Sequence, residues 1–424
     1  MRFVFAALMA FGLALAAYAQ DAVIHAGKVL AVPGEGYLSE QTILIRDGRI
    51  VSVDPGYHLP ADNVPLIDLK DAFVLPGLID AHVHLLSEFS PSVRLEAVNN
   101  SEADLALSGA QNARTTLMAG FTSVQDVGGV NEAIFSLRDA IRAGKVPGPR
   151  IRASGRAITP TGGHGDVNGY SPAVRAALAG HNTCNGADDC RRAVREAIRD
   201  GADLIKITAT GGVLSNTKAG LEQQFFDDEI EAIVETAAQM GRRVTAHAHG
   251  KSGIDAALRN GVQSIEHGTY LDSESIRLFR QKGATLVPTV LAGETVTGWV
   301  DEPWLPEPSR IKAAEIGPIM LETLRRAHDG DVNVVFGTDT GVSKHGNNAL
   351  EFALMVEAGF TPEESIRAAT VLGAEHLEMN ADIGSIEVGK LADIIALDTD
   401  PLTNIGALMD VDFVMQGGVV YKGE

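Results

Sequence analysis

Residues 77–84 read Gly77-Leu78-Ile79-Asp80-Ala81-His82-Val83-His84, an apolar run that ends in two histidines one residue apart. Successive side chains on a β-strand point to opposite faces, so His82 and His84 share one face at the strand's carboxyl end. Two imidazoles converging at a strand end are well placed to share a metal ion, whereas a lone histidine is more often a plain core or surface residue.

Outward from this stretch the chain alternates apolar runs with helical segments. The runs are Phe73–His84, Gly120–Asp126, Arg150–Ile158, Ala202–Thr208, Arg243–His249, Val262–His267, Ala284–Val290 and Val332–Asp339. Segments with helical character, among them Glu102–Met118, Asp189–Asp200 and Asp227–Met240, lie between them. Eight strand–helix units predict an α/β fold, a (β/α)8 TIM barrel, whose active site lies at the carboxyl ends of its strands. An open doubly wound sheet is the competing architecture; no glycine-rich phosphate turn follows the first strand to favour it. Both ends of the chain have a different texture. Val23–Leu30, Thr42–Arg46 and Arg49–Val53, with a hairpin signal at Asp47-Gly48, are matched by Ala392–Asp398, Val411–Met415 and Val419–Tyr421. The expected organisation is a barrel over 73–380 flanked by 20–72 and 381–424, which together make a small β-sandwich domain.

The carboxyl ends of the runs carry more than the first pair. Lys206 sits in Leu204-Ile205-Lys206-Ile207-Thr208, where its apolar neighbours imply burial. A buried ammonium tends to lose its proton, and a neutral amine can take up CO2 as a carbamate able to bridge two cations. A salt-bridged lysine in the core is the plainer alternative. His247 lies near the end of the fifth run, His267 ends the sixth and Asp339 ends the eighth. One or two such residues arise by chance; metal-compatible residues at five strand ends do not look like core filling.

These residues give the chain a resemblance to the amidohydrolase superfamily over nearly its full length. It is carried by His82-x-His84, Lys206, His247, His267 and Asp339, and by the segments Pro76–His84 and Gly384–Asp393. Within that superfamily Gly162-Gly163-His164-Gly165, Ala209–Val213, Ile265-Glu266-His267-Gly268 and Pro288-Thr289 resemble the imidazolonepropionase-like branch that holds prolidases, Xaa-Arg dipeptidases and ochratoxin-degrading amidases. The resemblance implies two divalent metal ions, zinc by default for a histidine-rich site. His82, His84 and Asp339 would hold the buried ion, and His247 and His267 the more exposed one. N-carboxylated Lys206 and a hydroxide would bridge them. It further implies hydrolysis of an amide bond in dipeptides or N-acyl amino acids with a free carboxylate, ochratoxin A included, by attack of the bridging hydroxide. Asp339 would pass the proton to the leaving nitrogen. Imidazolonepropionase activity itself is disfavoured, because those enzymes lack the bridging lysine.

Loop residues are expected around this centre. His164, in a glycine-rich loop after the third run, would contact the substrate carbonyl or carboxylate. His249, Tyr170, Tyr270 and His345 are further substrate-binding candidates. Asp126 would orient a ligand imidazole or make a rim hydrogen bond. Trp299 and Trp304 would wall the substrate cavity or pack at a subunit contact. Two other readings stand beside the amidase: a cyclic amide or imide hydrolase or deaminase, and a solute-binding barrel without catalysis.

The chain has 424 residues, a formal net charge of −20 and 45% hydrophobic residues. Strong negative charge without a basic patch argues against a nucleic-acid partner. Arg2, the apolar run Phe3–Leu15 and Ala17-Tyr18-Ala19 read as a signal peptide over 1–19, too short for a membrane span. The mature protein is expected to be secreted, to the periplasm of a Gram-negative cell, with no membrane contact, and to be a homo-oligomer. Cys184 and Cys190, the only two cysteines, then suit a short-loop disulfide.

Overall fold

The computed structural model describes residues 21–423; the expected signal peptide lies outside them. The fold is α/β, with parallel sheets and a small domain built from both ends of the chain.

Strands β1 (Ala22–Val29), β2 (Leu38–Arg46), β3 (Arg49–Pro55) and β4 (Leu66–Pro76) open the chain. The middle carries β5 (Leu78–Val83), β6 (Phe121–Asp126), β7 (Arg150–Ala153), β8 (Ile205–Thr208), β9 (Val244–Ala248), β10 (Ser264–His267), β11 (Thr285–Val287) and β12 (Asn333–Val334). The chain closes with β13 (Ile394–Leu397), β14 (Phe413–Gln416) and β15 (Val419–Lys422). The terminal strands form one continuous seven-stranded sheet in the order β15-β14-β13-β4-β1-β2-β3. This differs from the two separate sheets that a sandwich implies. The sheet curls instead: Arg49 of β3 bridges Leu391, next to β13. Side chains from both ends of the strand order, Ile43, Ile45, Ile50, Phe413 and Met415, then share one apolar core.

The run Phe73–His84 is divided between two sheets. Phe73–Pro76 pairs with β13, and Gly77 donates to Asp393 O at 2.9 Å. One residue on, Leu78 donates to Gly120 O at 2.9 Å and the chain enters the parallel sheet. The switch requires glycine at 77, since a Cβ there would lie 2.2 Å from Thr122 Oγ1.

The middle strands pair in parallel as β5-β6-β7 and β8-β9-β10-β11-β12. Backbone bonds also join the two sheets at both edges. Ile158 donates to Lys206 O at 2.8 Å and Thr208 to Ile158 O at 3.0 Å; Ala81 donates to Phe336 O at 3.0 Å and Asp339 to His82 O at 2.8 Å. The regular ladders are shorter than the apolar runs: β12 keeps only two residues of Val332–Asp339, and the rest continues without regular strand geometry toward the site. Helix Glu102–Met118 runs as expected, started by a reciprocal cap between Ser101 and Asp104 that stabilises such a helix by about 1 kcal/mol. Helices Ala187–Asp200 and Asp227–Gln239 match their expected ranges to within two residues.

Candidate metal centre

The side chains at the carboxyl ends of the parallel strands face one cavity of about 840 Å³. His82, His84, His164, Lys206, His247, His249, His267, Asp339 and Tyr170 all line it. They come from six different strand–loop units, and backbone bonds tie the units together: Asp339 N donates to His82 O, and His84 N to Thr340 O at 2.7 Å.

His82 Nε2 and His84 Nε2 lie 3.3 and 3.1 Å from Asp339 Oδ1. Oδ1 is buried, and no hydrogen bond of acceptable geometry reaches it. Ligand atoms around a tetrahedral cation with bonds of about 2.0–2.1 Å stand roughly 3.3 Å apart. The trio therefore fits a divalent ion. A second group, His247, His249 and His267, also converges closely enough for a cation, with His247 Nδ1 2.9 Å from His267 Nε2.

Four of the imidazoles have one nitrogen tied to the protein and the other turned to the centre. His82 Nδ1 pairs with Glu266 Oε2 at 2.7 Å, and His84 Nδ1 with Gly128 O at 2.9 Å. His267 Nδ1 pairs with Thr289 Oγ1 and His249 Nδ1 with Thr269 Oγ1, both at 2.7 Å. Such partners fix ring orientation and tautomer and strengthen the metal-facing nitrogen. His267, Thr289 and Asp339 have φ of 70°, 52° and 57°, the left-handed region that non-glycine residues enter at a cost of order 1 kcal/mol or more. Their clustering at one centre marks backbone bent to aim side chains.

Four of the imidazoles are held in the form this arrangement needs; His82 is the exception, since burial and Lys206 lower it but Asp339 and Glu266 outweigh them and raise it. Burial holds His247 and His267 well below the usual histidine range, and it pushes His164 and His249 down to about 3. Neutral imidazoles are the metal-binding form. Burial pushes Asp339 up, but His82 and His84 outweigh it and hold the carboxyl well below its ordinary value. Burial lowers Lys206 against the pull of Glu266, Asp339 and Asp126. Lys206 makes no hydrogen bond or ion pair among the described residues, so the salt-bridged core lysine is not what this geometry holds.

The remaining expected residues divide. The His164 ring lies 4.2 Å from that of His247, and its Nδ1 is buried without a partner. His249, expected to bind substrate, converges with His247 and His267 in the second histidine group. Tyr270 and His345 do not line the cavity: the Tyr270 hydroxyl donates to Glu315 at 2.5 Å, and the His345 ring turns to Ser87 O at 3.3 Å. Asp126 accepts from Leu85 N at 2.8 Å and Gly128 N at 3.3 Å, so it makes no hydrogen bond to the His84 ring and reaches it through Gly128 and by charge. Trp299 and Trp304 pack on each other at 5.1 Å and stand behind Phe89, which does line the cavity. The Cys184–Cys190 disulfide is formed.

Glu266 escaped the sequence reading because its neighbour His267 was placed on the cavity side. Strand alternation then turns Glu266 away. The left-handed turn at His267 breaks the alternation and lets both residues point inward.

Clustered, metal-competent histidines and a carboxylate at the ends of parallel strands in an α/β chain define a candidate metal-dependent enzyme. The chain belongs to the amidohydrolase family, whose profile matches residues 73–422. It is similar to a solved Xaa-Pro dipeptidase with methionine bound in its active site, at 40% identity and a TM-score of 0.91 over 95% of this chain and 100% of that one. It is 32% identical to the ochratoxinase of Aspergillus niger over 96% of this chain and 87% of the relative. A solved prolidase complexed with N-methylphosphonate-L-proline shares 33% identity and a TM-score of 0.87, over 96% of this chain and 100% of that one. Amide-bond hydrolysis is the activity these relatives support.

Proposed function

We propose that the protein is a binuclear metal-dependent amidase that cleaves dipeptides or N-acyl amino acids carrying a free carboxylate. The observation that carries this reading is the convergence of His82, His84 and Asp339 with Lys206, His247 and His267 on one cavity. Similarity to a prolidase complexed with N-methylphosphonate-L-proline and to an ochratoxinase supports the substrate class.

His82, His84 and Asp339 would hold one ion, and His247 and His267 the other, with His249 beside them. Neutral Lys206 would take up CO2 through a new N–C bond, losing a proton to solvent, and the carboxylate so formed would supply oxygen donors to a bound ion. Bound divalent cations, zinc by preference for this donor set, lower the pKa of water to about 7 and polarise a carbonyl. Asp339 accepts a proton from the attacking water at its carboxylate and returns it to the departing nitrogen. His164, neutral at physiological pH, donates one N–H to the substrate. Glu266 keeps the His82 proton on Nδ1.

We further read the two parallel sheets as one closed (β/α)8 barrel over 73–380, with 20–72 and 381–424 as the attached sheet domain. Export to the periplasm, a homo-oligomeric state and the absence of nucleic-acid and membrane partners belong to the same proposal. Among the described residues no helix is long and apolar enough to cross a membrane.

The test is a library of dipeptides and N-acyl amino acids incubated with zinc-loaded protein, with metal content measured in parallel. Turnover of at least one amide at two ions per chain is expected. Deamination of ring substrates with one ion per chain, and no amide cleavage, would replace this reading.

A further inference from the structure

The cavity is lined by charged side chains besides the metal-binding set, and nearly all of them are engaged. Glu88 accepts from His345 N at 2.8 Å. Arg94 donates to Gly169 O at 2.7 Å and lies 4.2 Å over the Tyr170 ring. Glu96 accepts from the Ser92 hydroxyl. Asp166 accepts from Gly162 N and Val167 N, both at 2.7 Å. Arg156 is the exception: among the described residues its guanidinium has no hydrogen bond and no ion pair.

The residue is nonetheless held in place. Its backbone N donates to Asn131 Oδ1 at 2.9 Å, just after Gly155, whose φ of +69° turns the chain out of β7. Its stem runs against Gly180, where a Cβ would come within 2.8 Å of Arg156 Cδ and 3.0 Å of Nε. Burial lowers the guanidinium's proton affinity although Glu132 and Glu102 pull it up. A guanidinium carries five donors in a planar fork and cannot shed its charge. Leaving it half-buried and unpaired is unfavourable unless an anion completes it. Arg156 shares the segment after β7 with His164, so both belong to one wall of the cavity.

We infer that Arg156 binds the free carboxylate of the substrate and selects for amides that carry one. The inference rests on the amidase reading of the same cavity. The fork matches a carboxylate in a bidentate pair, which places the acid end of the substrate on the β7 wall.

The experiment uses the zinc-loaded full chain and two probes that cannot be hydrolysed: L-phenylalanine, and phenethylamine, which lacks the carboxylate. Binding is measured by calorimetry. Wild type should bind L-phenylalanine more tightly than phenethylamine by about tenfold or more, the range of a charge-assisted hydrogen bond. Arg156→Met should abolish that difference, and Arg156→Lys should keep part of it. Where Arg156→Met does not fold, Arg156→Gln makes the same comparison. A preference that survives intact in the variant, or no preference in wild type, overturns the assignment. The amidase reading fails separately, by absence of amide turnover in wild type while the carboxylate preference stands.

Discussion

The carboxylate of Glu266 lies 2.7 Å from Nδ1 of His82, and both side chains are almost wholly buried beneath the cavity. The pair sets the tautomer of His82 and turns its Nε2 toward Asp339. Glu266 also accepts from Thr245 Oγ1, so the carboxylate is itself oriented. Glu266→Gln should weaken metal binding by about 10- to 100-fold, the usual effect of removing such a partner. Competition with a chromophoric chelator reads this directly. Wild-type affinity in the variant would show that Glu266 only fills the core.

His164 is held against a residue that has no room to grow. A Cβ at Gly212 would sit 2.3 Å from both Cε1 and Nδ1 of the His164 ring. Gly212→Ala should push the ring off His247 and lower kcat/KM by about 100-fold, the lower end of what one positioned proton donor contributes. The melting temperature should change little. Steady-state kinetics and a thermal melt separate the two effects, and unchanged kinetics would remove His164 from the reaction.

Glu351 supplies a pH-dependent contribution to stability away from the metal centre. It accepts from Val290 N at 2.9 Å and Leu291 N at 2.7 Å, at the start of helix Val290–Thr297. Burial pushes its carboxyl from 4.5 up to about 8, against those two bonds, and Asp80 and Glu294 add to the rise. Between these values the folded chain keeps a proton that the unfolded chain has released. Stability from this group is therefore full below about pH 4.5 and is lost as pH rises toward 8, on the order of 5 kcal/mol in all. Denaturant midpoints across that window should fall in wild type and stay flatter in Glu351→Gln. Parallel slopes would show that Glu351 is ionised in the folded state.

The disulfide closes a loop of six residues' separation between Cys184 and Cys190. It anchors the segment whose Cys184 N donates to Thr159 O at 3.0 Å, at the base of the His164 loop. Loop-closure entropy for so short a ring gives about 2 kcal/mol. Reduction, or Cys184→Ala with Cys190→Ala, should lower unfolding free energy by that order while amide turnover persists. Loss of turnover at unchanged stability would assign the bond a role at the site.

Much of this centre was legible because strand parity acts over short distances. His82 and His84 follow from alternation alone, and Lys206 from the apolar residues on either side of it. Asp339 and His247 follow from their positions at strand ends. Features set by backbone departures from regularity were not legible. The left-handed conformation of His267 hid Glu266, and the partner switch at Gly77 split one apolar run between two sheets. Loop residues were the least readable. Tyr270 and His345 follow the correct strands, yet Glu315 and Ser87, distant in sequence, draw their side chains away. Arg156 gave no signal at all, because a missing partner is a property of the fold.

The most direct measurement is a crystal structure of zinc-loaded protein with anomalous data at the metal edge. The account predicts two ions per chain, one among His82, His84 and Asp339 and one against His247 and His267, with a carboxyl group on Lys206 Nζ between them. A bare Lys206 turned away from a single ion would contradict it.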